Sequence, residues 1–275
     1  MIFPFAVRAP LRAADDAIAS APATPDLSVV VPLHNEAPNL APLVDGIRAA
    51  LDGVLPYEIV LVDDGSKDDT RAVALGLARA HRHIRVIGHA QAGGQSAAVH
   101  SGVLAARGRL IATLDGDGQN PPSNLPALIA PLRDPARHPD LKLVAGQRVG
   151  RRDTLSKRLA SRFANALRGW MLKDGTRDTG CGLKAYDRAA YLALPFFNHQ
   201  HRYLPALFAR DGWRVAHVDV THAARTAGQS KYTNLQRALV GVADLLGVAW
   251  LIRRRKTARP VDLTPAELTT KETGI

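Results

Sequence analysis

The apolar residues of the chain follow two alternating patterns. Short runs rich in Val, Ile and Leu, without polar alternation, are typical of strands in a parallel sheet covered on both faces. The segments between them carry apolar residues at helical spacing. This alternation predicts an α/β fold with a mostly parallel, Rossmann-like sheet flanked by helices. The predicted strands are 27–34, 57–63, 84–89, 109–115 and 142–148. The predicted helices between them are 37–51, 71–82 and 93–108.

Acidic residues follow three of the predicted strands. They are Glu36 after the first, Asp63 and Asp64 at the end of the second, and Asp115 and Asp117 at the end of the fourth. The carboxyl ends of parallel strands meet at one edge of the sheet, where ligands bind in open α/β folds. We therefore expect these carboxylates to converge on one site.

The segment "LDGDGQNPP" places two carboxylates one residue apart. Asp115 and Asp117 alternate with Gly116 and Gly118, and Gln119 follows. Such a pair repels itself unless a cation lies between the side chains. Carboxylate and amide oxygens on a compact turn suit Mg²⁺ or Mn²⁺ shared with a diphosphate.

The charge of the chain indicates an anionic partner. The formal net charge is +11 over 275 residues. No helix-turn-helix, RNP or zinc-finger pattern is visible, and an acidic ligand edge opposes a phosphate backbone, so we predict no nucleic-acid partner. One cysteine, Cys181, excludes an intramolecular disulfide. Residues 1–26 lack a continuous apolar core and include acidic residues, which predicts a flexible arm rather than a secretory signal.

Basic residues are concentrated between positions 148 and 173, where Asp153 is the one acidic residue. Apolar residues recur at helical intervals in the same segment, which predicts a basic amphipathic helix on an anionic membrane surface. The alternative is a solvated face over an ordinary core helix. The basic residues are Arg148, Arg151, Arg152, Lys157, Arg158, Arg162, Arg168 and Lys173.

A second membrane segment is predicted near the end of the sequence. Residues 238–252 are apolar except for Asp244, but a spanning helix needs about 20 apolar residues. Basic residues 253–256 follow, so we expect a helix that lies in the membrane interface. The alternative is a helix that packs on the core or forms a dimer contact.

Four motifs in order, "VVVPLHNE", "VDDGSKDDT", "LDGDGQNPP" and "RTAGQSKY", together resemble the family-2 inverting glycosyltransferases of GT-A fold. Within that family the chain is most similar to the polyprenyl-phosphate branch typified by dolichol-phosphate mannose synthase. The resemblance covers roughly residues 27–246. It implies metal-dependent inverting transfer of a sugar from a UDP- or GDP-sugar to a polyprenyl phosphate of the undecaprenyl or dolichyl type. It further implies action at the cytoplasmic face of the inner membrane and a role in envelope glycan or lipid A modification.

The resemblance also implies roles for individual residues. His34 stands where many relatives have tyrosine, and Gln95 where many have a basic residue. The implied donor-binding residues are Pro32, His34, Glu36, Asp63, Asp64, Asp115, Gly116 and Ser230. The implied metal ligands are Asp115, Asp117 and Gln119. The implied catalytic residues are Asp117, Arg225 and Lys231. Lys184 is a further candidate for stabilising the negative charge that develops on the leaving diphosphate. The implied acceptor-phosphate residues are Arg148, Arg162, His201 and Arg202.

The expected organisation is an arm (1–26), a GT-A domain (27–235) and an interface helix with a basic tail (236–275). The GT-A domain divides into a nucleotide-sugar half (27–122) and an acceptor half (123–235). Many bacterial relatives carry two transmembrane helices after this point. The present sequence shows no such helices, so we expect either peripheral membrane binding or a small separate membrane protein that supplies the anchor.

Two alternative functions stay open on the sequence. Transfer to a hydroxyl acceptor would need a general base, for which Asp178 is the best-placed carboxylate. Asp178 is equally well explained as a turn-forming residue. A non-catalytic sugar-nucleotide binding protein would keep the same binding residues.

Overall fold

The computed structural model describes residues 24–149, 168–176, 178, 180–223, 234–255 and 258. These residues form one sheet of seven strands in the order β3-β2-β1-β4-β6-β5-β7. β6 is antiparallel to both of its neighbours, and the other pairs are parallel. The strands are β1 (Leu27–Leu33), β2 (Tyr57–Asp63), β3 (Ile84–Gly88), β4 (Leu110–Thr113), β5 (Leu141–Arg148), β6 (Lys184–Asp187) and β7 (Arg214–Val220).

Helices cover both faces of this sheet. Two 3₁₀ turns, Pro122–Asn124 and Gln200–Arg202, and helical residues 168–172 complete the described elements. The helices are α1 (Ala37–Leu51), α2 (Thr70–Ala80), α3 (Gln95–Ala105), α4 (Leu125–Arg133), α5 (Arg188–Leu192), α6 (Leu204–Arg210) and α7 (Asn234–Arg253).

The central strand β1 shows why the strands are continuously apolar. Val29 and Val31 lie in the hydrophobic cluster beneath α1, α2 and α4. Val30, on the opposite face, lies in the cluster beneath α3, α5 and α6. All three side chains are fully buried. Two covered faces leave no place for polar alternation, which confirms the predicted α/β class.

Two of the seven strands were not predicted. β6 has four residues, too few for a recognisable period, and it follows a glycine-rich turn. β7 carries an exposed Arg214 and a polar His217 and Asp219, because it lies at the edge of the sheet. The antiparallel β6, inserted between β4 and β5, makes the sheet mixed rather than parallel throughout.

The loops after β1 and β2 are bound to each other. The backbone N–H of Asn35 donates to the Ser66 hydroxyl over 3.0 Å, and that of Glu36 donates to the Thr70 hydroxyl over 2.8 Å. In return, the Asn35 side-chain oxygen accepts from the backbone N–H of Lys67 over 2.8 Å. We call this the loop clamp. Much of "DDGSKDDT" thus fixes the start of α1 rather than facing a ligand.

Helix α7 contains the predicted interfacial segment and packs on the core along one side. Val248 is buried, and Leu245 and Ala249 pack with it against the cluster that includes α6. The Tyr203 hydroxyl donates to the carbonyl of Gly241 over 3.3 Å. Core packing, one of the two predicted alternatives, is therefore correct for this side.

The other side of α7 exposes large apolar residues at helical spacing. Val242, Leu246 and Trp250 are 57%, 59% and 60% exposed. These three residues form what we call the α7 stripe, which ends beside the exposed basic residues 253–255. Within the described ranges, no helix has the length and apolar character needed to cross a membrane.

A matched pair of glycine substitutions tests how closely α3 approaches the sheet. A Cβ at Gly102 would overlap the side chain of Val30 and lie 2.9 Å from Cγ2 of Val62, whereas a Cβ at Gly76 in α2 meets nothing within 4 Å. We expect Gly102→Ala to lower the free energy of unfolding by about 1–3 kcal/mol. Gly76→Ala should raise it by about 0.5–1 kcal/mol. Urea unfolding checks both, and equal effects would contradict the close approach.

Candidate active site

Two neighbouring clefts open at the carboxyl edge of β1, β2 and β4. The first has a volume of about 240 Å³ and the second about 280 Å³, and they share Gln95 and Asp115. The first cleft is lined by Pro32, Leu33, His34, Glu36, Asp64, Gln95, Ala98, Asp115, Gly116 and Asp117. The second is lined by Gln95, Asp115, Gly180, Cys181, Gly182, His201 and Arg202.

Asp115 lies where the two clefts meet and is held by two amides. Its Oδ1 accepts a hydrogen bond from Gln95 Nε2 over 2.7 Å, and its Oδ2 accepts one from Asn120 Nδ2 over 3.0 Å. Burial raises the pKa of Asp115, and the neighbouring carboxylate of Asp117 raises it further. A divalent cation between the two carboxylates would remove both penalties.

The donor set around Asp115 suits a cation that is shared with a ligand. Asp117 is buried and accepts from the backbone N–H of Gln119 over 3.1 Å. The backbone carbonyl of Gln119 accepts from Ala223 over 3.0 Å. In the described part of the chain, no group of three or more His, Cys, Asp or Glu could hold a metal. Two carboxylates on one turn match a Mg²⁺ or Mn²⁺ site whose remaining ligands include phosphate oxygens and water.

The approach to β6 brings backbone and positive charge against Asp115. A Cβ at Gly182 would overlap the Asp115 carboxylate, so this position requires glycine. Lys184 is buried behind it, and its Nζ donates to the carbonyl of Cys181. Burial lowers the pKa of Lys184. The negative charges of nearby acidic groups, including Asp115, act in the opposite direction and raise it. Lys184 thus lies close enough to Asp115 to offset its charge.

Three predicted donor-binding residues from the end of β1 line the first cleft. The Glu36 carboxylate accepts from Asn39 Nδ2 over 2.8 Å, which orients it at the start of α1. His34 Nδ1 lies 2.8 Å from the backbone carbonyl of Asp64 and donates to it. Pro32, near the end of β1, lines the first cleft. The structure therefore brings Pro32, His34 and Glu36 together with Asp115 and Asp117, as expected.

The Asp63 side chain lies away from both clefts. It is fully buried, and it accepts from the backbone N–H of Ser66 over 3.0 Å and from Arg71 Nε over 2.7 Å. Burial alone would raise the pKa of Asp63, but these hydrogen bonds outweigh it and hold the pKa below the usual value. The structure gives Asp63 a part in shaping the loop after β2.

Asp64 lines the first cleft but also holds the loop before α3. It accepts from the backbone N–H of Gly93 over 2.7 Å and of Gly94 over 2.8 Å, and its Oδ1 lies 2.7 Å from His89 Nδ1. The other ring nitrogen of His89 lies 2.9 Å from the hydroxyl of Ser101. Burial would raise the pKa of Asp64, but the three hydrogen bonds hold it below its usual value. The sequence did not predict this role for His89, because His89 follows β3 outside any recognisable motif.

Arg148 and Asp178 form a bidentate ion pair. The Arg148 Nε and Nη2 atoms donate to the two carboxylate oxygens of Asp178 over 2.6 and 2.8 Å. Asp178 also accepts from the backbone N–H of Gly180 over 3.2 Å, as a turn-forming residue does. Burial would raise the pKa of Asp178, but the hydrogen bonds from Arg148 hold it low. The predicted acceptor residue Arg148 therefore has its charge matched within the chain.

Only some residues of the basic segment 148–173 are exposed. Arg168, predicted as part of the basic surface, is instead buried and paired with Asp174. Trp170, predicted on the apolar stripe of that segment, is 75% exposed. Lys173 is exposed as expected. The remaining basic residues of the segment, 151–162, lie outside the described residues.

His201 and Arg202 meet the second cleft through the 3₁₀ turn before α6. His201 Nδ1 lies 2.7 Å from the hydroxyl of Ser96 on α3, and the His201 backbone N–H donates to the same oxygen over 3.2 Å. Burial lowers the pKa of His201 well below its usual value. The other predicted site residues, Arg162, Arg225, Ser230 and Lys231, lie outside the described residues.

Comparison with known proteins identifies the class. The family model described as "Glycosyl transferase family 2" matches residues 28–194. Because this is more than half of the chain, the chain belongs to glycosyl transferase family 2, as its four motifs predicted. Family membership makes it a glycosyltransferase.

The similar curated proteins are polyprenyl-phosphate sugar transferases. A dodecaprenyl-phosphate galacturonate synthase of Rhizobium johnstonii is 36% identical over 256 residues, covering 91% of this chain and 72% of the relative. An undecaprenyl-phosphate 4-deoxy-4-formamido-L-arabinose transferase of Photorhabdus laumondii is 32% identical over 209 residues, covering 75% and 63%. The chain thus spans 63% to 72% of the length of these relatives. They confirm the predicted resemblance to the polyprenyl-phosphate branch.

Solved structures of low sequence identity share the fold. Glucosyl-3-phosphoglycerate synthase from Mycobacterium tuberculosis, in complex with Mn²⁺ and UDP-glucose, superimposes with a TM-score of 0.62 at 23% identity, covering 82% of this chain and 79% of that one. The same enzyme in complex with Mg²⁺ and UDP gives a TM-score of 0.60 at 22% identity, covering 83% and 79%. These likenesses confirm the GT-A architecture.

A carboxylate-to-amide change tests the structural part of Asp64. We expect Asp64→Asn to lower the free energy of unfolding at pH 7 by about 1–3 kcal/mol, because an amide has one oxygen for the two glycine N–H groups. The pKa of Asp64 is lowered by folding, so its stabilisation is complete above the unfolded-state pKa of about 3.9 and is lost as the pH falls through the folded-state pKa. The gap between wild type and variant should therefore narrow between pH 4 and pH 3 in urea unfolding.

The exposed Asp45, 71% accessible and 3.7 Å from Arg48, provides the matched control. Asp45→Asn should change the free energy of unfolding by less than about 0.5 kcal/mol. A gap for Asp64→Asn that stays constant down to pH 3 would contradict the assigned role.

Proposed function

We propose that this glycosyltransferase moves one sugar from a nucleotide diphosphate donor to a polyprenyl phosphate, with inversion and with Mg²⁺ or Mn²⁺ bound. The observation that carries the proposal is the pair of clefts joined at Asp115. The first cleft has room for a nucleotide beside His34, Glu36 and Asp64. The second adjoins it at Gln95 and Asp115, and we place the transferred sugar there.

Asp115, Asp117 and Gln119 are the residues that would hold the cation. Asp115 and Asp117 lie on the turn after β4, and burial together with their mutual repulsion makes the pair of negative charges unfavourable without one. When bound, the cation supplies positive charge to the departing diphosphate. The Mn²⁺ and UDP-glucose bound to the mycobacterial enzyme, which shares the fold, support this assignment.

The chain's own residues supply the rest of the charge and the orientation. Gln95 and Asn120 fix both oxygens of Asp115, so the carboxylate does not have to reorganise during reaction. Lys184 is buried behind it and favours the negative charge of Asp115. Arg225, Ser230 and Lys231 remain predicted contacts to the leaving diphosphate, as their motif implies.

A phosphate acceptor removes the need for a general base. A lipid phosphate is already ionised at neutral pH, so its oxygen attacks the anomeric carbon as it is. Asp178, the base that a hydroxyl acceptor would require, is instead held as a carboxylate by Arg148. A low pKa makes it a weak base. This favours the lipid phosphate, as do the names of the two relatives.

The α7 stripe fits the surface on which a polyprenyl phosphate is found. Leu246 and Trp250 face outward beside exposed Arg253 and Arg254, so apolar insertion and attraction to anionic headgroups coincide. We propose that the protein binds at the cytoplasmic face of the inner membrane through this helix, with or without a membrane-anchoring partner.

Asp117→Asn tests the cation assignment. We expect Mn²⁺-dependent binding of UDP, measured by calorimetry, to be lost and turnover to fall about 100-fold or more, because several kcal/mol of charge stabilisation disappear. The control is Asp140→Asn. Asp140 lies at the opposite edge of the sheet with a side chain that is 60% exposed, so this change should alter neither UDP binding nor turnover. Asp117→Asn protein with unchanged thermal unfolding and unchanged Mn²⁺ dependence would refute the assignment.

Substitution of the α7 stripe tests the membrane surface. Leu246→Ser with Trp250→Ser should weaken binding to phosphatidylglycerol-containing vesicles about tenfold or more in a sedimentation assay, because two apolar side chains no longer insert.

The matched control is Leu75→Ser with Leu104→Ser, which removes two exposed leucines, 41% and 55% accessible, from α2 and α3. This double variant should bind vesicles as tightly as the wild type does. Equal binding by both double variants would place the membrane contact elsewhere.

A further inference from the structure

The hydrogen bonds of Ser96 determine which nitrogen of His201 carries a proton. Ser96 lies at the start of α3 with 4% of its surface exposed. Its hydroxyl oxygen already accepts from the His201 backbone N–H over 3.2 Å, and His201 Nδ1 lies 2.7 Å from it. In the described part of the chain, the Ser96 hydroxyl has two hydrogen-bond partners, the His201 backbone N–H, which can only donate, and Nδ1, which can accept. The hydroxyl therefore donates to Nδ1.

This assignment makes His201 a neutral donor towards the second cleft. With Nδ1 accepting, the proton of the ring resides on Nε2. Burial and the nearby charges of Lys184 and Arg202 lower the pKa of His201, in agreement with a neutral ring. Nε2–H is then the one polar group of the side chain that is left for a ligand.

Arg202 brings a positive charge to the same cleft. It follows His201 in the 3₁₀ turn and lines the cleft with it. No described carboxylate lies within 4 Å of its guanidinium group. A neutral N–H donor beside a guanidinium is suited to an anionic oxygen group, which accepts from both.

Two parts of the substrates carry such a group, a carboxylate on the transferred sugar and the phosphate of the acceptor. The second cleft adjoins Asp115, where the diphosphate would be held, and the sugar is the group bonded directly to the diphosphate. In the proposed inverting transfer, the acceptor phosphate attacks the anomeric carbon from the side opposite to the diphosphate. The sugar then lies nearer to Asp115 than the acceptor phosphate does, which favours the sugar. We propose that His201 and Arg202 bind the carboxylate of a uronic acid sugar, with Ser96 as the positioning residue that sets the His201 tautomer. The inference rests on the proposed function.

The test compares two donors that differ at one carbon. UDP-galacturonate carries a carboxylate where UDP-galactose carries a hydroxymethyl group. Binding of each, and of UDP alone, is measured by calorimetry with Mn²⁺ and without lipid. We expect the wild type to prefer UDP-galacturonate. Arg202→Leu and His201→Leu should each weaken its binding about 10- to 100-fold and change the binding of UDP-galactose and UDP less than threefold.

Three further variants separate the roles. His201→Gln keeps an N–H donor at similar reach and should retain much of the preference. Ser96→Ala frees the ring and should reduce the preference, and ¹⁵N spectra of the imidazole should show loss of the single Nε2–H tautomer. Arg82→Leu is the control, since Arg82 is exposed in the turn before β3 at the opposite edge of the sheet, and it should behave as wild type.

Each other outcome has a distinct meaning. Equal affinity of the wild type for both donors, unaffected by Arg202→Leu, overturns the sugar-carboxylate site. If Arg202→Leu and His201→Leu instead raise the KM for polyprenyl phosphate alone, the anion is the acceptor phosphate and the carboxylate assignment is wrong. A wild type that does not bind UDP with Mn²⁺ refutes the proposed function itself, whatever the variants do.

Discussion

The carboxylate of Asp115 is the group on which the arrangement of the site depends. Three separate parts of the chain reach it: Gln95 from the start of α3, Asn120 from the turn after β4, and the backbone of Gly182 before β6. A buried negative charge is unfavourable unless donors and positive charge surround it. Those contacts fix where the two clefts meet. The antiparallel strand β6 is what brings the glycine and Lys184 to this point.

Much of the fold followed from the sequence because the strands of a covered sheet are continuously apolar. Residues 27–34, 57–63 and 142–148 were predicted within one residue of the observed strands at either end. The convergence of Glu36, Asp64, Asp115 and Asp117 on one edge was likewise predictable, since parallel strands point their carboxyl ends the same way. This rule depends only on the direction of the strands and their order along the chain, so it can be applied before any side-chain contact is known.

The side chains that face inward could not be predicted in this way. Asp63 and Asp64 are adjacent, yet one is turned beneath the loop and the other lines the cleft. Arg148 and Arg168 read as members of a basic surface, but each has a carboxylate partner that lies 30 and 6 residues away, respectively. The number and positions of charges along the chain do not reveal which of them are paired in the fold. The tautomer of His201 depends on a serine 105 residues earlier, and no local pattern connects the two.

The loop clamp has a consequence for how donor specificity can change. The loops after β1 and β2 form two sides of the first cleft, where we propose that the nucleotide binds, and Asn35 and Ser66 tie them into a single unit. A loop grafted from a relative with a different nucleotide preference would lose its bonding partner unless the other loop came with it. Redesign of this wall, by selection or in the laboratory, has to exchange both loops as one module.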